Sequence, residues 1–155
     1  MPKSQRLTYS EFAELEESIG YMVRNAHRAY DRVLGQALSK HKVLTGHWSL
    51  LRVLWHEDDL TQIEVAKRMK IERASLTIML NLVEKAGLIA RQLDPQDRRK
   101  HRIKLTRKGR ALQPLLIPIG SSVNKIALSG LSEREVSTLR SLLGRVTRNL
   151  EQYPD

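Results

Sequence analysis

Apolar residues recur at three- and four-residue steps along the first part of the chain, at Leu15, Ile19, Met22, Val23, Ala26, Tyr30, Val33, Leu34 and Ala37, with no proline among them. That period puts one apolar stripe on a helix and predicts a long amphipathic helix reaching about Leu38. Thr8 and Glu11 have capping-box spacing, so the helix is expected to begin near them. Lys40-His41-Lys42 breaks the pattern. Thr45 is expected to cap a second helix that carries Trp48, Leu51, Leu54 and Trp55 toward Glu57-Asp58-Asp59, read as a solvated loop.

Thr61 and Glu64 repeat the capping-box spacing and open a short helix whose Ile63, Val65, Ala66 and Met69 are expected to face inward. A further helix, starting no earlier than Lys70-Ile71, keeps Leu76, Met79, Leu80 and Val83 on one side and ends at Gly87, a candidate left-handed cap. The short turn between the two suits a helix-turn-helix. The period then changes. Leu88 to Leu93 reads as a strand, an Asp94-Pro95-Gln96-Asp97 turn follows, and Lys100 to Leu105 returns with Ile103 and Leu105 alternating against Lys100, Arg102 and Lys104. Thr106 and Gly109 lead into another helix through Leu112, Leu115, Leu116 and Ile119, where Pro114 and Pro118 predict a kink or break. Ser132 and Glu135 form a third box ahead of a stripe of Val136, Leu139, Leu142, Leu143, Val146 and Leu150.

The sum is a mainly α fold with a small β-hairpin wing, a winged helix-turn-helix. The apolar stripes of its end helices have no partner within so small a core and are expected to pack on a second chain. The expected organisation is an N-terminal dimerisation helix over 1–42, the winged core over 43–109 and C-terminal dimerisation helices over 110–155.

Composition narrows the partner. Lys and Arg exceed Asp and Glu by 27 to 17, a formal charge of +10, which points to a polyanion, and the basic hairpin makes duplex DNA the first expectation. No apolar run approaches the roughly 20 residues of a transmembrane helix. The opening MPKSQRLTYSEF lacks the apolar core of a secretory signal, so a cytoplasmic protein is expected. Zero cysteines exclude disulfides, thiolate metal sites and a thiol redox switch. The five histidines lie without clustered carboxylates at ligand spacing, so neither metal nor cofactor is expected. Neither a nucleophile elbow, a phosphate-cradling glycine loop nor HExxH occurs, so no enzyme is expected. A winged-helix module that binds protein would normally lack so positive a face.

Three pieces of the sequence carry a family resemblance: TQIEVA at the start of the first motif helix, LVEKAGLI before the wing, and DRRKHRIKLT, with Asp97-x-Arg99 followed by Leu105-Thr106. The stretch from about Val43 to Gly109 resembles the DNA-binding core of the MarR (multiple antibiotic resistance regulator) family, and the wing is similar to that of its SlyA-like branch. The resemblance implies a homodimer gripping a pseudo-palindromic operator with two wings and two recognition helices, and a small ligand that modulates binding. On that basis Arg99 is expected in the minor groove, oriented by Asp97, with Arg98, Lys100, Arg102 and Arg91 near phosphates, joined by Lys67 and Lys104. Arg73, Ser75 and Thr77, with Ile78 and Asn81 beside them, would face base edges. The implied effector pocket, between the first two helices and the winged core, would be lined by Arg24, His27, His47, Trp48 and Arg52, and would suit a small aromatic carboxylate or an acyl thioester. Trp48 is also open as a plain core anchor. A repressor released by such a ligand is the main expectation; a SlyA-like regulator antagonising nucleoid silencing is the alternative within DNA binding.

Overall fold

The structure, a computed structural model, describes residue 14 and residues 16–153; the Thr8–Glu11 cap and Leu15 lie outside them. Helix α1, Ile19–Ser39, buries only Leu34 and Leu38, near its C-terminal end. Its earlier apolar residues Ile19, Met22 and Val23 are exposed. Lys42, at φ 57°, turns the chain into α2, Thr45–His56. Thr45 does not cap that helix as expected: Leu44 takes the cap position, and Thr45 is already helical, its carbonyl accepting from the Ser49 hydroxyl at 3.2 Å. Helix α2 is the centre of the core and buries Leu50, Leu51 and Leu54 against α3, Gln62–Met69, and α4, Arg73–Lys85.

The Thr61 box opens α3 as its spacing predicts: the Thr61 hydroxyl accepts from the Glu64 amide, and the Glu64 carboxylate accepts from the Thr61 amide at 2.7 Å. Val65 and Ala66 turn inward, but Ile63 does not; it is 49% exposed, because an eight-residue helix has room for only one buried stripe. Lys70, left-handed at φ 53°, ends α3, and three residues separate it from α4. Leu76, Leu80 and Val83 of α4 are fully buried. The helix ends in a Schellman motif, with the Gly87 amide donating to the Glu84 carbonyl and the Leu88 amide to that of Val83. Gly87 permits this by taking φ 73°.

A three-stranded antiparallel sheet follows, in order β1-β3-β2, from β1 (Leu60–Thr61), β2 (Ile89–Leu93) and β3 (His101–Leu105). Ile89 pairs with Leu105 and Arg91 with Ile103, so the hairpin alternates as expected and buries Ile89, Ile103 and Leu105. The two-residue β1, pairing Leu60 with Ile103, was not foreseen. It also corrects the reading of the acids before it. Asp58 accepts from the Leu105 amide at 2.9 Å and from Arg110 at 2.6 Å, and Asp59 binds Arg102 and Lys104, so this stretch is a pinned turn and not a solvated loop.

Beyond the sheet, α5 (Arg107–Ala111) breaks at Leu112 before α6 (Gln113–Ala127), so the break stands just ahead of Pro114 while Pro118 is carried inside the helix. Gly109 is obligatory: a Cβ there would lie 2.1 Å from the Leu88 carbonyl oxygen. Helix α7, Glu133–Glu151, starts at the expected Ser132–Glu135 box and buries no residue of its own. The chain divides into two compact units, one up to Gly120 and one from Ser121. No helix among the described residues is long and apolar enough to cross a membrane.

Candidate nucleic-acid interface

The wing's tip is built by two aspartates. Asp94 is buried and its Oδ1 accepts from the amides of Gln96 and Asp97 at 2.8 and 3.2 Å, the turn that closes the hairpin. The Gln96 amide comes first among the interactions that hold its carboxyl below the usual aspartate range, followed by the Arg102 guanidinium and the Asp97 amide. Asp97 then takes the Arg99 guanidinium, Nε to Oδ1 at 3.1 Å, and the Arg99 amide, also at 3.1 Å, while Lys100 Nζ stands 3.5 Å away. Arg99 still exposes 91% of its side chain, so it is aimed without being covered. Asp94 was missed as the turn-former. The sequence signal was there, since Asp at the first position of a turn caps its own loop.

Arg98 is exposed and has no ion-pair partner among the described residues. Arg102 and Arg91, expected near phosphate, are instead tied inward. Arg102 donates from Nε to Asp59 at 2.7 Å, from Nη1 to Asp94 at 3.2 Å, and from Nη2 to the Asp59 carbonyl. It thereby clamps the wing's turn to the turn that precedes β1. The guanidinium is the first cause of the lowered Asp59 pKa. Arg91 holds Glu84 through Nε and Nη2 at 3.0 and 2.6 Å, and Asn81 through Nη2 at 2.7 Å. Asn81 and Arg91 therefore stitch α4 to β2, and the guanidinium expected at a phosphate is already engaged by Glu84.

On α4, Arg73, Ser75, Thr77 and Ile78 are all exposed, while Leu76 and Leu80 are buried. Arg73 and Ser75 side chains have no hydrogen-bond partner among the described residues. Thr77 bonds to Gln62 at the start of α3. Lys67 is exposed on α3, and Lys104 leans to Asp59 at 3.5 Å.

The five residues expected to line a ligand pocket do not come together. Arg24 and His27 are exposed on α1, where His27 approaches Asp31 at 3.7 Å. Trp48 and Arg52 do meet, the guanidinium 5.7 Å from the ring centroid, and Trp48 packs edge-on against Trp55. Trp48 fits under Gly120, where a Cβ would come within 2.6 Å of the indole, so it is a core anchor. His47 alone lines an open cleft of about 750 Å³. That cleft runs between the end of α1 (Asp31, Arg32, Gly35), the start of α2 and the α4 residues Ser75, Ile78, Met79 and Leu82. Neighbouring helix residues point about 100° apart, which sends His47 to the cleft and Trp48 to the core.

The MarR family model matches residues 45–101. Among solved structures, a probable transcriptional regulator from Pseudomonas aeruginosa is 27% identical, with 85% of this chain and 98% of that one covered at a TM-score of 0.80. A mutant MarR from E. coli complexed with operator DNA is 26% identical over 87% of this chain and 96% of that one, also at 0.80. The transcriptional regulator SlyA is 27% identical over 86% and 94%, at 0.78. Residues 45–101 thus match the MarR family model, in a chain whose fold matches the winged-helix fold of solved MarR proteins.

Proposed function

We propose that the chain is a transcriptional regulator that binds duplex DNA, acting as a homodimeric repressor on a pseudo-palindromic operator. One observation carries the reading: Arg99 is 91% exposed yet held in direction by Asp97, on a wing whose base is fixed, beside an α4 face that presents the unpartnered Arg73 and Ser75. An exposed cation held in place has lost part of its ordering cost in advance. In this reading α4 enters the major groove, Arg99 the minor groove, and Arg98, Lys100 and Lys67 lie along phosphates. The similarity to MarR of E. coli, solved with operator DNA, supports it.

Release by a small ligand belongs to the same reading, with the site moved from the residues first expected to the α1–α2–α4 cleft. Arg32 and Lys42 supply cations there, and Leu44, Ile78, Met79 and Leu82 apolar walls, which suits a small aromatic carboxylate. Ser75 and Ile78 belong both to the cleft and to the exposed face of α4, so an occupant would compete with DNA for the same side chains.

The test is a mobility shift on the DNA upstream of the protein's own gene, against unrelated competitor duplex at two salt concentrations. Competitor-resistant binding with a footprint of two related half-sites is expected, and Arg99→Ala should weaken it roughly tenfold or more, by analogy with other groove-reading arginines. Binding lost equally to any competitor would overturn the reading.

A further inference from the structure

Thr77 is exposed on the α4 face one turn after Arg73, but its hydroxyl is already engaged twice. It donates to the Arg73 carbonyl oxygen at 2.9 Å, and it accepts from Nε2 of Gln62, the first residue of α3, at 3.1 Å. A hydroxyl has one proton and two lone pairs. Thr77 therefore has no proton left to give to guanine O6 or N7, adenine N7 or thymine O4. A free threonine in a major groove is indiscriminate, able to bond to either kind of edge or to touch a methyl. Here the choice is made in advance. Threonine in a helix divides between two rotamers according to whether its hydroxyl bonds back to the preceding turn, and the Arg73 and Gln62 bonds both hold the oxygen on that side. The methyl is the branch left without a polar partner, and in the major groove thymine alone presents a methyl group.

We propose that Thr77, held by Gln62, reads the methyl of a thymine at one position of each half-site, so that Gln62 is a positioning residue for base specificity and not a phosphate contact. The inference rests on the DNA-binding reading above. It predicts a base preference at this point of the operator, and a division of labour in which the unpartnered Arg73 and Ser75 supply hydrogen-bond donors and Thr77 donates none.

The test begins by selecting preferred duplexes from a randomised pool with the full-length protein, then replacing each thymine in turn by deoxyuracil, which removes only the methyl. At one position per half-site the loss should weaken wild-type binding about fourfold, the worth of one buried methyl-sized group. Thr77→Ser keeps the hydroxyl and both of its bonds but lacks the methyl, so the thymine and uracil duplexes should bind it equally. Thr77→Val keeps methyl groups at the position and should still prefer thymine. Gln62→Ala should narrow the thymine preference at that position and at no other, a change that a loss of fold stability would not produce. A thymine preference that survives in Thr77→Ser, or the absence of any thymine whose methyl matters through Thr77, would overturn the inference. Failure to select any duplex over the random pool would instead overturn the DNA-binding reading itself.

Discussion

His47 carries both ring nitrogens into the wall of the α1–α2–α4 cleft with no hydrogen-bond partner for either among the described residues. The charged groups on that cleft are Asp31 and Arg32 from α1 and Lys42 from the following turn, while the α4 wall of Ser75, Ile78, Met79 and Leu82 supplies none. Burial lowers its pKa below 6.5, since the imidazolium would lose its hydration. Between the folded value and 6.5 the unfolded chain binds more protons than the native one, so stability falls as pH drops through that window and levels off below the folded value. His47→Leu should abolish that decline and raise stability at neutral pH by about 1 kcal/mol, because it removes two unsatisfied buried polar atoms. Thermal unfolding followed from pH 8 to 5 checks both; an acid limb of wild-type steepness in the variant would refute the assignment. The wing cannot produce the same signal. Asp59, Asp94 and Asp97 all have pKa values lowered from 3.8, by Arg102, by the Gln96 amide and by Arg99 respectively, so their contribution is complete above 3.8 and is lost only at still lower pH.

At the scale of elements, the wing separates cations that touch DNA in our reading from one that only holds the hairpin. Arg102 bridges Asp59 and Asp94, whereas Arg98 stands free among the described residues. Arg98→Ala should weaken binding similarly on all sequences and reduce the slope of log affinity against log salt by about 1, the mark of one lost phosphate contact. Arg102→Gln should also weaken operator binding, several-fold, by loosening the turn that aims Arg99, yet leave the salt slope within about 0.3 of wild type. Titrations at four or five salt concentrations tell them apart; an equal fall in slope for both would return Arg102 to the phosphate contacts. The helices and the hairpin were legible because their apolar residues keep a period of 3.6 or 2 over many positions. Strand β1 was not, since two residues carry no period, and the role of Asp58 and Asp59 depends on Leu105, Arg110 and Arg102, more than 40 positions away. The wing and the face of α4 were placed correctly as surfaces. What the sequence concealed was which of their polar groups were already spent: Arg91 on Glu84, Arg102 on Asp59, and the Thr77 hydroxyl on Gln62.

For the whole molecule, the question is what covers the apolar stripe of α7. Leu139, Leu142, Leu143 and Leu150 are 39%, 50%, 47% and 71% exposed, and they recur on one side of a helix that buries nothing. Ile19, Met22 and Val23 at the start of α1 are likewise exposed. Surface leucines scattered singly need no explanation, but a continuous stripe on a polar-backed helix does. In the proposed homodimer a second copy of the chain covers it. The physical consequence extends to DNA, because two linked reading heads gain from effective concentration what neither gains from contacts alone, often 100-fold or more. Sedimentation of the wild-type protein should therefore give twice the 17.8 kDa chain mass. Leu139→Glu together with Leu142→Glu should give a monomer whose helical circular dichroism is retained, since the core around Leu50, Leu54, Leu76 and Leu80 is untouched. Operator affinity should then fall roughly 100-fold while binding to a single half-site is unchanged. The half-site measurement is what makes the test decisive. Loss on both DNAs would report a damaged fold, and a double variant that still sediments as a dimer with full operator affinity would put the interface on a surface other than α7.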